Sequence, residues 1–508
     1  MIHKAADSVL DRRRAGVLLH PTALPGQQGV LGCSAREFMD FMQHAGLTLW
    51  QTLPLGPTHP DLSPYQSLSA HAGNPALIDL KELTGCGLLE DGELDQISRQ
   101  ELLSRAAERF FEGKVTGDHL TRNGFTSFRD RNRYWLEDFC LFGAIRETLE
   151  RDHWLSWPEP LRDRHPAALQ HMAARHQTRI NRIAFEQYLF HEQWQALRDY
   201  GKARGILLFG DIPIFVAHDS ADVWANRKLF KLDGEGRPTV VAGVPPDYFS
   251  DRGQHWGNPL YEWAVMEKDG YQWWLDRLAS QQRLFDLVRL DHFRGLQAFW
   301  EIPADQPEPV NGHWVPGPGA AFLEACFQRF PDLKLVAENL GVIGPDVEKL
   351  RKDFGLPGMV VLQFAFDGSP DNPHLPGNHH PEDIVYTGTH DNDTTWGWYQ
   401  ALDDTTRQCV NRELGTNGDD MPWPVITAAF RSPCAVAIAP LQDYLALGSE
   451  ARFNTPGTIK GNWLWRMSHG QCTAELAGRV RELTVQSDRL CERSGFDQDQ
   501  EEARGPGG

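Results

Sequence analysis

Short apolar runs punctuate the chain, each ending in polar residues as a buried strand does. They are Gly16–His20 (GVLLH), Leu49–Leu53 (LWQTL), Gly205–Phe209 (GILLF), Leu287–Leu290 (LVRL), Leu333–Ala337 (LKLVA), Met359–Phe364 (MVVLQF), Ile384–Thr387 (IVYT) and Ala435–Ala439 (AVAIA). Helical stretches separate most of them, for example Ala35–Ala45 and Asp346–Asp353. Near-continuous apolar strands alternating with helices predict a parallel sheet covered on both faces. Eight such units predict an α/β fold of the closed (β/α)8 TIM-barrel type. The open doubly wound alternative lacks support, since no G-x-G-x-x-G follows any of these runs.

The spacing is uneven. Residues 1–54 hold the first two strands, and 55–205 read as a mainly helical inserted subdomain after strand two, with helical periodicity in Tyr134–Leu149 and Ile183–Tyr200. Residues 206–216 hold strand three. A second insertion follows over 217–274. In it Leu229–Val241 reads as a hairpin turning at Asp233–Gly236, and Gly243–Pro259 as a Gly/Pro-rich loop with Tyr248, Phe249, Gln254, His255 and Trp256. Strands four to eight occupy 275–496, and 497–508 read as a disordered tail.

Composition narrows the partners. Lys+Arg 50 against Asp+Glu 69 give a net charge of −19, which disfavours nucleic acid and anionic membrane surfaces. The 17 Trp residues include more than a core needs, and their flat apolar bodies suit sugar rings. The 8 cysteines form no C-x-x-C pair and read as reduced thiols. Met1–Val9 lacks the apolar run of a signal peptide, and no stretch approaches a membrane span, so a cytoplasmic location is expected.

Three strand ends carry carboxylates. LVRLDHFRG places Asp291 at the end of strand four, with Arg289 two residues earlier on the same side and His292 directly after. LKLVAENLG ends strand five on Glu338, and IVYTGTHDND sets His390 and Asp391 just beyond strand seven. Strand three adds Asp211 in GDIPIF. One carboxylate at a strand end is ordinarily a cap or a surface charge, but these ends all converge on one mouth of a barrel. Retaining cleavage of a glycosidic bond needs one ionised carboxyl group and one that holds a proton. Arg289 suits Asp291 to the ionised role. Glu338 has no cation beside it in sequence, and partial burial would raise its pKa. Asp391 and His390 could grip sugar hydroxyls.

LVRLDHFRG, VAENLG and YTGTHDNDT, in this order, resemble the catalytic segments of the amylomaltases, or 4-α-glucanotransferases, of the α-amylase-like barrel enzymes. GVLLHPTALPG, LPLGPT, SPYQSLSAHAGNP, GDIPIFVAHDSADVW, PPDYFS…GQHWGNPLY and NTPGT…GNWLWR extend the resemblance over nearly the whole chain. It implies transfer of a segment of a 1,4-α-D-glucan to the 4-hydroxyl of an acceptor glucose or glucan by retaining double displacement. Asp291 would be nucleophile, Glu338 general acid/base and Asp391 transition-state stabiliser. Tyr65, Asp211, Arg289, His292, His390 and Asn462 would hold substrate, with Gln254 and Trp256 in a loop that closes over it. Maltooligosaccharides and other α-1,4-glucans would be the partners, with no cofactor and no metal. Two positions depart from the family pattern. His71 stands where an aromatic or small apolar residue is expected, with a consequence for glucan affinity. Asn339 stands where Asp often follows the catalytic Glu, which could move the pKa of Glu338. An α-glucan hydrolase with the same carboxylates, or an inactive glucan-binding protein, would share this sequence pattern.

Overall fold

The computed structural model describes residues 11–490 apart from 27, 28, 118, 152, 247–251 and 459. Its strands, in chain order, are β1 (Arg14–Leu18), β2 (Leu49–Gln51), β3 (Leu207–Pro213), β4 (Val240–Val244), β5 (Gln254–Pro259) and β6 (Leu287–Asp291). They continue with β7 (Ala298–Pro303), β8 (His313–Pro316), β9 (Leu335–Ala337), β10 (Met359–Val361), β11 (Ile384–Tyr386) and β12 (Val436–Pro440).

Eight of these pair in the order β10-β11-β12-β1-β2-β3-β6-β9, and every ladder is parallel. They coincide with the eight apolar runs, and the fold is an α/β barrel. Their residues are buried almost without exception, as expected for strands covered on both faces. The seam between β9 and β10 is bridged by two bonds rather than a ladder. Ala337 N donates to Pro357 O at 2.9 Å, and the Asn339 side-chain oxygen accepts from Met359 N at 2.7 Å. The Asn339 amide nitrogen donates to Glu348 Oε1 at 2.9 Å. Asn339 is thus a seam residue, and the bonds to the Glu338 carboxyl come from elsewhere.

Between β2 and β3 lie helices, the longest being Arg122–Leu149 and Gln177–Lys202. Thr121 starts the first of these by accepting Gly124 N at its side chain (2.9 Å), a capping bond that satisfies a free helix-end donor. Phe110 and Phe185 stack at 4.6 Å between neighbouring helices of this region. Position 71 belongs to this interface and does not line the cleft. His71 is 7% exposed, stacks on Trp135 and shares a hydrogen bond with Ser280 at 2.9 Å. Burial lowers its pKa to about 3, so it packs as a neutral ring.

A second, antiparallel sheet runs β5-β4-β7-β8. The arms around Asp233–Gly236 pair briefly, at the Leu232–Pro238 bridge and through Thr239 N donating to Lys231 O at 3.1 Å, while Val240–Val244 pairs with β5 and β7 instead. The turn itself forms, with Asp233 N donating to Arg237 O at 2.8 Å. The ends of the 243–259 stretch, read as loop, are strands, and β7 and β8 come from beyond β6. Tyr248 and Phe249 lie outside the described residues.

Candidate active site

β3 and β6 are neighbours in register, with Asp211 opposite Arg289. Residues 289 and 291 share one face of β6, so the strand itself sets a guanidinium beside two carboxylates. Arg289 forks onto Asp211, Nε to Oδ1 at 3.0 Å and Nη2 to Oδ2 at 2.9 Å, and Nη2 also donates to Asp291 Oδ1 at 2.7 Å. Tyr65, from the β2–β3 connection, donates its hydroxyl to Asp211 Oδ2 at 2.6 Å and accepts from Arg289 at 3.1 Å. The side chain of Arg289 is 4% exposed and that of Asp291 30%. Burial alone would lower the Arg289 pKa, but Asp211 and Asp291 raise it, and the cation is secure.

Glu338 follows β9 directly and is held by backbone alone. His292 N donates to Oε2 and Leu340 N to Oε1, both at 2.7 Å. The first bond depends on His292 adopting a left-handed conformation at φ 55°, an uncommon state for a residue with a side chain and one that marks functional turns. Gly295 makes room for the His292 ring, since a Cβ there would lie 3.1 Å from its Cδ2. Buried His292 is neutral, its pKa lowered to about 3, and its Nε2 has no hydrogen-bond partner among the described residues.

Asp291 and Glu338 titrate as a pair shifted upward. Burial is the main cause for both, opposed by Arg289 and reinforced by Asp211; Asp291 also feels Glu338 and Asp391. The pair therefore holds a proton to higher pH than an isolated carboxyl group.

The loop after β11 brings in His390 and Asp391. Buried Asp443 anchors it, accepting Thr387 Oγ1 at 2.5 Å, Thr395 Oγ1 at 2.6 Å and Thr395 N at 2.8 Å. Asn454 donates to Asp391 Oδ1 at 2.5 Å, and His390 Nε2 lies 3.4 Å from the same oxygen. His390 stacks on Tyr65 with centroids 5.2 Å apart and also meets Trp463 at 6.1 Å. Burial lowers the His390 pKa, leaving it neutral.

These groups border one cleft of about 370 Å³ at the carboxyl ends of the barrel strands, with Tyr65, Gln254, Trp256, Arg289, Asp291, His292, Glu338, His390, Asp391 and Asn462 all on its walls. Trp256 donates to Gln254 Oε1 at 3.0 Å and meets His292 edge-on at 4.8 Å. Asn462 is tied to its own loop, accepting Thr455 N and donating to Thr458 O, both at 3.0 Å. Asp211, expected on the substrate, has a side chain with no exposed surface and reaches the cleft only through Arg289 and Tyr65. Asn454, Asp443, Arg294 and Trp314 escaped the sequence reading. Asn454 opens the NTPGT segment, which was its one available signal; Asp443 acts from the turn after β12, at no distance that periodicity reveals.

A parallel barrel whose mouth holds one aspartate on a guanidinium and one glutamate on backbone amides defines a carboxylate-based barrel enzyme. More narrowly, the chain belongs to the 4-alpha-glucanotransferase family, whose model matches residues 19–473. The 4-alpha-glucanotransferase of Thermus thermophilus is 47% identical over 496 residues, covering 94% of this chain and 99% of that protein. The 4-alpha-glucanotransferase of Synechocystis sp. is 42% identical over 497 residues, covering 94% and 98%. Among solved structures, the amylomaltase from Streptococcus agalactiae in complex with acarbose matches with a TM-score of 0.90 and 33% identity, covering 94% of this chain and all (100%) of that one. The amylomaltase from Corynebacterium glutamicum, 19% identical with a TM-score of 0.72 over 96% of this chain and 76% of that one, shares the fold.

Proposed function

We propose that this chain transfers segments of 1,4-α-D-glucans to the 4-hydroxyl of an acceptor glucose or glucan by a retaining double displacement. The observation that carries the reading is the contrast within the cleft: Asp291 is ion-paired with a guanidinium, whereas Glu338 forms no ion pair among the described residues. In the first half-reaction Asp291 attacks the anomeric carbon while Glu338 gives its proton to the departing glycosidic oxygen. Arg289 occupies Oδ1 of Asp291, which leaves Oδ2 for the new bond. In the second half, Glu338 takes the proton of the acceptor 4-hydroxyl as that oxygen attacks the same carbon and Asp291 departs.

Asp391, fixed by Asn454, serves as the grip on ring hydroxyls that tightens as the sugar flattens toward an oxocarbenium ion. Neutral His390 and His292 can each donate or accept one hydrogen bond to a hydroxyl, and His292 Nε2 is unengaged among the described residues. Arg289 and Tyr65 position Asp291, and Asp211 acts behind them. Trp256 and Gln254 supply a wall that can exclude water once glucan is bound. Among the described residues no helix is long and apolar enough to cross a membrane, which suits an enzyme acting on dissolved glucans.

Maltotriose tests the reading. Transfer gives glucose and a ladder of longer maltooligosaccharides, separable by chromatography. Products confined to sugars shorter than the substrate would mean hydrolysis, and no products at all would leave a glucan-binding protein.

A further inference from the structure

Two groups of side chains border the cleft, and each is wired to a different carboxyl group. Tyr65, Arg289 and His390 adjoin Asp291 and Asp391. The other group grows out of Glu338. Leu340 N holds the Glu338 carboxyl, and two residues on, Val342 O accepts from Arg294. The Arg294 guanidinium lies over the ring of Trp314 at 3.6 Å from its centroid. Arg294 forms no ion pair among the described residues, and its Nε is buried without a partner. Beyond its bond to Val342 O, this cation stacks on the indole.

Trp314 sits on β8 directly opposite Trp300 of β7, whose ring meets it edge-on at 5.0 Å. Trp300 is itself fixed, donating Nε1 to Pro309 O at 2.7 Å. An indole clamped by a cation on its face and a second indole at its edge has little freedom left, yet it remains 37% exposed on the cleft wall beside Val342, which is 51% exposed. A preorganised aromatic surface binds with little loss of side-chain entropy. Its chemical match is the C–H face of a sugar ring.

We infer that Trp314, braced by Arg294, is an acceptor-side sugar platform that decides how well a glucan acceptor competes with water. The assignment rests on the transfer reading above and on the direction of proton flow. The oxygen that Glu338 protonates leaves with the departing sugar, and the acceptor hydroxyl returns to the same oxygen position. A surface built outward from Glu338 therefore faces the leaving and entering chains. The ring held on Asp291 meets the other group.

The test uses α-maltotriosyl fluoride as donor, which forms the glycosyl-enzyme without a leaving sugar, and maltose as acceptor. Fluoride release and elongated product are followed together. In Trp314→Ala the maltose concentration for half-maximal transfer should rise about tenfold, and Trp314→Phe should restore most of it. The ratio of transfer to hydrolysis at fixed maltose falls accordingly. An unchanged half-saturation in Trp314→Ala overturns the assignment. So does a loss of first-turnover fluoride release equal to the loss of transfer, which would mark a structural role. If the unmodified chain releases fluoride but elongates maltose at no concentration, the transfer reading fails first and this assignment with it.

Discussion

The two sides of the cleft hold their carboxyl groups by different means. On the β6 side Asp291 receives a charge-assisted bond from Arg289, whose own position is fixed by a fork onto Asp211. On the β9 side Glu338 receives two backbone N–H groups and forms no ion pair among the described residues. A guanidinium keeps its partner charged through any proton transfer. Backbone amides orient a carboxyl group and by themselves favour its charged form, but at Glu338 burial outweighs them and raises the pKa. One cleft thereby contains a group suited to bond to carbon and a group suited to pass a proton. The difference follows from register: residue 289 can face residue 291 because a strand alternates sides, whereas Glu338 lies beyond the end of β9.

The largest expected effect attacks the β6 side. Asp291→Asn should lower transfer by on the order of 10⁴-fold or more while the circular dichroism spectrum stays native, because no other group forms the bond to the anomeric carbon. Activity within tenfold of the parent would dissolve the contrast. Glu338→Gln should cost about 10²–10⁴-fold on a glucan donor and much less in the first-turnover release of fluoride from a glucosyl fluoride, whose leaving group needs no proton. Equal losses on both donors would mean that Glu338 is not the acid.

Arg289→Lys keeps the charge and removes the fork. A loss of roughly 10–10²-fold in kcat is expected, with KM nearly constant, since Asp211 and Asp291 can no longer both be served. Asn454→Ala should cost about tenfold through Asp391. Its readout is steady-state transfer on maltotriose, and an unchanged rate would remove Asn454 from the site.

The smallest effect concerns stability. The folded-state pKa of Glu338 is raised, chiefly by burial, so the protonated form is the one that folding favours. Its contribution is present at low pH and is lost as pH rises through the folded pKa. Glu338→Gln carries no such charge, so its melting temperature relative to the parent should climb with pH, by roughly 1–2 °C. A difference that is flat or falls with pH would contradict the assigned shift.

Much of this was legible in the chain because barrel strands are both short and apolar. LVRL, LKLVA and IVYT mark themselves, and each points to the carboxylate that follows. The antiparallel sheet was not legible. β8 is four residues between Gly312 and Gly317 with Pro316 inside it, and its partner β7 is visible only once both are placed. Nearby turn chemistry at Asp233–Gly236 suggested a local pairing, whereas Val240–Val244 took longer-range partners in β5 and β7. Asn454 and Asp391 meet across 63 positions, and no periodicity links them. Asn339 illustrates the converse: its departure from the family pattern was visible, but its role as a bridge to Met359 required the seam between β9 and β10.

The central claim is that Asp291 carries the sugar between the two half-reactions while Glu338 handles the proton. It is tested most directly by incubating the Glu338→Gln enzyme with α-maltotriosyl fluoride and mapping the product by peptide mass spectrometry. The account predicts a maltotriosyl ester on the peptide containing Asp291, discharged when an external nucleophile such as azide is added. An adduct on any other carboxylate, or turnover of the fluoride with inverted configuration and no adduct, would contradict it.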